Sequence, residues 1–139
     1  MKYLLDTCCL SELFKKAPDT GVVEWLSRQS IADLFLSVVT LGEIQKGISR
    51  LPRSQKSELL QRQLNQFMEI YADRILPLNR EILLDWGLLC AKAESRGHSL
   101  PVLDSLIAAT ALAHEMEVVT RNVKDMERCG VRVVNPWKG

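Results

Sequence analysis

Five short apolar runs return along the chain, at Tyr3 to Leu5, Leu34 to Val39, Ile75 to Leu78, Val118 to Thr120 and Val131 to Val134, and helical spacing fills the segments between them. Short apolar runs bounded by polar breaks read as buried strands, and strands alternating with helices require crossover connections. The pattern therefore predicts an α/β sandwich around a mostly parallel sheet with right-handed crossovers. Leu59, Leu60, Leu64, Phe67 and Met68 share one helical face, as do Leu83, Leu84, Leu88, Ala91 and Ala93. Asn79 is placed to cap a helix over Ile82 to Ser95 and Gly97 to stop it. The stretch "LDSLIAATALAHEM" is apolar almost all round, as in a helix buried inside a small domain. Between about Glu43 and Tyr71 the helical pattern is interrupted at Pro52 in "SRLPRSQKS", which predicts two helices projecting together as an arm.

A chain of 139 residues, 47% hydrophobic and 25% charged, supports one cored domain over residues 1–139. "MKYLLDT" lacks the apolar core of a signal peptide, and no stretch approaches the roughly 18 apolar residues of a membrane span. The expectation is a soluble, cytoplasmic protein with no membrane partner. Cys8, Cys9, Cys90 and Cys129 show no C-x-x-C spacing, and His98 and His114 do not pair with them in a zinc pattern. Buried reduced thiols are the simpler reading. A net charge of +1 leaves any nucleic-acid-binding surface to local clusters.

In an open parallel sheet, ligands bind outside the carboxyl ends of the strands. Asp6 directly follows the first run, Glu43 follows the second, Asn122 and Asp125 follow "VVT", and Asp104 lies in the first turn of the apolar helix. Four carboxylates at one sheet edge would repel one another unless a divalent cation sat among them. Hard oxygen ligands without a usable Cys or His point to Mg²⁺ or Mn²⁺, which polarises a phosphodiester and lowers the pKa of a bound water. Phosphodiester hydrolysis is the natural chemistry for such an edge.

Each residue also has a plainer reading. Asp6 could cap the following helix. Thr40 to Glu43 matches a capping box, in which Glu43 would bond back to the Thr40 N–H, and Asn122 to Asp125 could be merely a helix start. Asp104 could be a solvated first-turn charge, although it is the single charged residue in "LPVLDSLIAATALA". Ser105 and Thr110 could assist a site or only pack.

Four blocks in order, "YLLDTCCLSEL", "SVVTLGEIQKGI", "LPVLDSLIAATALAHEMEVVTRNVKDME" and "GVRVVNPW", resemble a PIN-domain ribonuclease of the VapC and FitB kind, the toxin half of a type II toxin–antitoxin pair. The resemblance spans nearly the whole chain. It implies a three-layer α/β/α sandwich with a protruding two-helix arm, Mg²⁺ or Mn²⁺ as cofactor, and RNA as substrate, cut to leave a 5′-phosphate and a 3′-hydroxyl. Asp6, Glu43 and Asp104 match the first three metal carboxylates and Asp125 the fourth. Asn122 stands where some relatives have Asp, which leaves the choice between Asn122 and Asp125 open. Thr7 and Thr120 would support the ligands through hydrogen bonds. The resemblance also implies a homodimer and a small DNA-binding antitoxin whose C-terminal segment fills a groove on the toxin.

Arg121 and Lys124 bracket the expected site, and Lys46 and Arg50 begin a basic run through Arg53, Lys56 and Arg62. All are candidates for RNA phosphates, the arm cations being equally readable as a solvated helix face. Leu51, Leu59, Leu60 and Leu64 are candidates for the antitoxin groove or for interhelix core. Two rival functions stay open: a phosphatase-like enzyme using Asp6 as nucleophile, and a non-catalytic α/β interaction module.

Overall fold

The computed structural model describes residues 1–137. Five strands, β1 (Tyr3–Leu5), β2 (Leu34–Ser37), β3 (Ile75–Leu76), β4 (Glu117–Val119) and β5 (Val133–Val134), form one sheet in the order β3-β2-β1-β4-β5, and every pairing is parallel. Seven α-helices among the described residues flank it: α1 (Thr7–Leu13), α2 (Thr20–Ser27), α3 (Val38–Ser49), α4 (Gln55–Ile70), α5 (Arg80–Ser95), α6 (Val102–Ala113) and α7 (Val123–Arg128).

The pleat distributes the strand residues between two cores. Leu5, Leu34, Leu36 and Val119 face Leu10 of α1, Val22 of α2, Ile44 and Ile48 of α3, and Leu64 of α4. Leu4, Val118 and Phe35 face Ile107, Ala108 and Ala111 of α6 and Met126 of α7, with Leu89 of α5 packed alongside. The sheet is thus the middle of three layers, and its strands are mostly apolar because both faces are covered, the exceptions, Glu117 and Ser37, standing at strand ends. Leu4, Leu5 and Leu36 are fully buried, and truncating any one to Ala would cost about 2–5 kcal/mol.

Several strands stop short of their apolar runs. The Ser37 hydroxyl accepts the Val39 N–H at 3.0 Å and caps α3, ending β2 there and placing Val38 and Val39 in the helix. β3 ends before Pro77, which has no N–H to give a ladder. Val131 packs into the second core ahead of β5 without pairing. The helix α2 was not anticipated by the strand pattern; Asp19 starts it by accepting the Val22 N–H at 3.1 Å.

Asn79 caps α5 through the Ile82 N–H at 2.8 Å, and the chain leaves that helix through Gly97 at φ +82°, a conformation that costs glycine little. The α5 face inferred from spacing is rotated from the real one. Ile82, Leu89 and Ala93 turn inward, whereas Leu83, Leu84 and Leu88 are exposed. Likewise α6 is buried along one side, and Val102, Leu103 and Leu112 leave an apolar flank open. The arm forms as α3 and α4 with Pro52 between them, rooted in the first core by Ile44, Ile48 and Leu64.

The sheet order places a switch point beside β1. From β1 the chain builds outward through β2 to β3, then crosses back to lay β4 on the other side of β1. Loops leaving β1 and β4 diverge there, opening a crevice at their carboxyl ends.

Candidate metal centre at the sheet switch point

Asp6 leaves β1 with its N–H bonded to Val119 O of the neighbouring strand at 3.0 Å. One carboxylate oxygen, Oδ1, accepts the Thr7 N–H at 2.8 Å and caps α1; Oδ2 accepts the Thr120 hydroxyl at 2.7 Å and the Cys8 thiol at 3.7 Å. The capping reading thus holds for one oxygen, while the other is turned to Thr120 and Cys8. Only 3% of Asp6 is exposed, and that burial raises its pKa against the opposing bonds from Thr120, Thr7 and Cys8. Thr120 is itself fixed, since its oxygen accepts the Asn122 N–H at 2.9 Å.

Glu43 reaches the same edge from the second turn of α3. Because Ser37 is the N-cap, Thr40 already lies inside the helix and the expected Thr40–Glu43 capping box does not form. Glu43 Oε1 instead accepts the Thr7 hydroxyl at 2.7 Å, with Thr40 Oγ1 3.2 Å from that hydroxyl. Thr7 thus couples the first two carboxylates, giving its N–H to Asp6 and its O–H to Glu43.

Asp104 sits in the first turn of α6 and accepts the Asn122 amide at 2.8 Å. Asn122 occupies the N-cap position of α7, so a helix does start there, but its side chain makes no cap bond and its amide serves Asp104 instead. Burial and the negative charges of Asp6, Glu43 and Asp125 push the Asp104 pKa up to about 6, with the Asn122 bond opposing. Asp125, in the first turn of α7, belongs to the same field of charge. None of the four carboxylates forms an ion pair with a Lys, Arg or His among the described residues.

The donor set suits a hard divalent cation, being all oxygen, negatively charged and uncompensated. Among the described residues no three Asp, Glu, His or Cys side chains already stand as a closed ligand group, so the acids share one field without being drawn into a coordination sphere. Ser105, beside Asp104, is fully buried; it accepts the Trp86 indole N–H at 2.9 Å and donates to Val102 O at 2.8 Å, tying α5 to α6 behind the acid. Thr110 bonds Leu106 O within its own helix and takes a packing role.

Sequence reasoning passed over two groups. Cys8 read as an inert thiol, yet its sulfur lies 3.4 Å from Thr120 Oγ1 beside Asp6. Burial and the Asp6 charge raise its pKa, keeping it a neutral thiol. Glu12 and Trp137 lie within the first and last of the four blocks but were given no role; they meet across 125 residues of sequence, the indole N–H donating to the carboxylate at 3.0 Å.

Cations stand at the rim. Arg121 and Lys124 are exposed on either side of Asn122, and the Arg121 guanidinium lies 5.0 Å over the Trp137 ring. Lys46 and Arg50 are exposed on α3. An apolar groove of about 680 Å³ runs between α1 and the arm, lined by Phe14, Ile48, Leu51, Leu59 and Leu60, and ends against Thr7 and Glu43. Leu64, a groove candidate from sequence, is instead core.

The PIN domain family matches residues 3–130 of this chain. The VapC ribonuclease Y4jK of Sinorhizobium fredii is 34% identical over 136 residues, 97% of each chain. Toxin FitB of Neisseria gonorrhoeae is 33% identical over 135 residues, 96% of this chain and 97% of that one. The solved structure of FitAB bound to an IR36 DNA fragment contains a chain that superimposes with a TM-score of 0.92 at 32% identity, covering 98% of this chain and 96% of its own.

Proposed function

The chain belongs to the PIN-domain family, and on that footing we propose that it is a divalent-metal-dependent endoribonuclease, the toxin of a type II toxin–antitoxin pair. The observation that carries this reading is the uncompensated charge at the switch point, where three carboxylates help lift the pKa of a fourth to about 6 and, among the described residues, no cationic side chain is paired to any of them. Asp6, Glu43, Asp104 and Asp125 would hold Mg²⁺ or Mn²⁺, which when bound supplies a Lewis acid for the phosphodiester and acidifies a water. Thr120 and Thr7 fix the Asp6 and Glu43 oxygens, and Asn122 fixes Asp104. Arg121 and Lys124 flank the acids as phosphate ligands, while Lys46 and Arg50 extend positive charge along α3.

Other features support the partners of this reading. The groove beside α3 and α4 is apolar and ends at Glu43, so a segment lying in it would also cover the acids; an antitoxin's C-terminal segment fits that description. Leu84 and Leu88 of α5 and Leu112 of α6 form an exposed apolar face suited to a second copy of this chain. Among the described residues no helix is long and apolar enough to cross a membrane; acting on cellular RNA, the protein would work in the cytoplasm. A phosphatase using Asp6 as nucleophile has less support, because both oxygens of that nearly buried carboxylate are already accepting hydrogen bonds.

Incubation of the purified protein with RNA and with a phosphomonoester, in Mg²⁺ or Mn²⁺ and then with chelator, tests the assignment. Cleavage of RNA alone, abolished by the chelator, is expected. Hydrolysis of the phosphomonoester would transfer the site to the phosphatase class, and no activity on either would leave an interaction module.

A further inference from the structure

Arg121 lies directly between Thr120, which holds Asp6, and Asn122, which holds Asp104. An arginine so placed would be expected to fall onto the carboxylates, neutralising them and competing with any cation. It does not. Its guanidinium lies 5.0 Å over the face of Trp137, and no ion pair to Arg121 exists among the described residues. A cation–π contact holds the guanidinium without consuming its N–H donors, and among the described residues no side-chain hydrogen bond takes them up, leaving them available to phosphate oxygens.

Trp137 is in turn fixed from two directions. Its backbone N–H donates to Asn135 Oδ1 at 3.1 Å, turning the chain through Pro136, and its indole N–H donates to Glu12 Oε1 at 3.0 Å. Glu12 is a buried carboxylate, 4% exposed, that also accepts Lys15 Nζ at 3.1 Å and the Asp19 N–H at 3.1 Å. That amount of hydrogen bonding on a buried acid that holds none of the four clustered carboxylates needs a purpose, and the indole it orients supplies one. Glu12 lies on α1, the helix that Asp6 caps, so the C-terminal segment after β5 is clamped to the element that also carries Asp6.

We infer that Glu12 and Trp137 are positioning residues that stack Arg121 at the rim of the acidic edge, keeping its charge off the carboxylates and its donors available to a phosphate of the RNA strand. This deepens the ribonuclease reading and rests on it.

The test is steady-state cleavage of an RNA oligonucleotide in Mg²⁺ by the full-length protein. Arg121→Gln should raise KM about tenfold and flatten the salt dependence of binding by about one phosphate contact, with kcat within about twofold. Trp137→Leu should reproduce that KM rise, and adding it to Arg121→Gln should change nothing further, since both remove one unit. Trp137→Phe, which keeps a π face and loses the Glu12 bond that fixes it, should raise KM by less than Trp137→Leu but measurably above wild type; a KM equal to wild type would overturn the role given to Glu12. If Trp137→Leu does not fold, Trp137→Met keeps the bulk without a ring and is read in the same way. An unchanged KM in the ringless variant, multiplicative effects in the double variant, or an equal fall in kcat and kcat/KM would overturn the latch alone, with wild type still cutting RNA. A wild-type protein that cuts no RNA in either metal would overturn the ribonuclease reading, and the latch with it.

Discussion

The two halves of the acidic edge are built differently. Asp6 and Glu43 are joined through Thr7, and Asp6 is further gripped by Thr120, so that side is a hydrogen-bonded network spanning β1, α1, α3 and the end of β4. Asp104 and Asp125 lie on the first turns of two helices, with one amide, from Asn122, restraining Asp104. The first side is fixed by hydrogen bonds that oppose the burial raising the Asp6 pKa; the second carries the stronger electrostatic strain, with the Asp104 pKa pushed up to about 6. A site made this way has a rigid wall and a responsive one.

If both walls hold the cation, removing a carboxylate from either should silence catalysis while affecting the fold oppositely. Asp6→Asn and Asp104→Asn should each lower RNA cleavage by about 10³-fold or more, the scale on which charge stabilisation at a reacting centre acts. Circular dichroism and gel filtration should show both variants folded. The contrast lies in melting temperature without metal. Asp6→Asn places an amide donor near the Thr7 N–H or the Thr120 hydroxyl and should lose stability, whereas Asp104→Asn relieves repulsion and keeps an oxygen for Asn122. Equal destabilisation of the two would erase the distinction between the walls.

A smaller effect tests the rigid wall through its hydroxyls. Thr120→Val preserves shape, removes the donor to Asp6 and leaves the Asn122 N–H without its acceptor. A cost of about 1–3 kcal/mol in urea unfolding is expected, with divalent-ion affinity measured by calorimetry falling about 10- to 100-fold. Asn122→Ala, acting on the responsive wall, should weaken the ion similarly and disturb stability less, because Asn122 caps nothing with its side chain.

The contrast between the walls also marks what was legible in the sequence. Strand order of appearance, the acids at strand ends and the arm broken at Pro52 follow from local pattern, and the motif resemblance added the family and its three-layer fold. Local pattern failed where a residue's partner lies far along the chain. Thr40 looked like an N-cap because Thr-x-x-Glu is a local signature, and Ser37, three residues earlier, took that role and freed Glu43 for Thr7. Leu84 and Leu88 looked like core because helical spacing reports a face without saying which way it points. Cys8 looked uninformative, and its position beside Thr120 depends on β4 pairing with β1. The Glu12 to Trp137 bond joins the two ends of the fold and has no local signature at all.

The smallest expected effect is also the one with a sign that reverses. Asp104 is raised from 3.8 to about 6 in the folded chain, so between those values the native state binds more protons than the unfolded state. Stability without metal therefore falls as pH rises from about 4 to 6 and stays reduced above that. Taking account of the partial exposure of Asp104, the penalty at pH 7 is on the order of 1 kcal/mol. Asp104→Asn should accordingly be more stable than wild type by about that amount at pH 7 in chelator, with the gap closing by about pH 4 as the wild-type carboxyl protonates. Saturating Mg²⁺ or Mn²⁺ should invert the order, since a cation bound at 100 times its dissociation constant stabilises by about 2.7 kcal/mol and the variant has lost a ligand. Urea midpoints at pH 4 and pH 7, with and without the ion, give the four measurements required. A wild-type chain more stable than Asp104→Asn at pH 7 in chelator would mean that Asp104 is as well satisfied as Asp6, and that the two walls are alike.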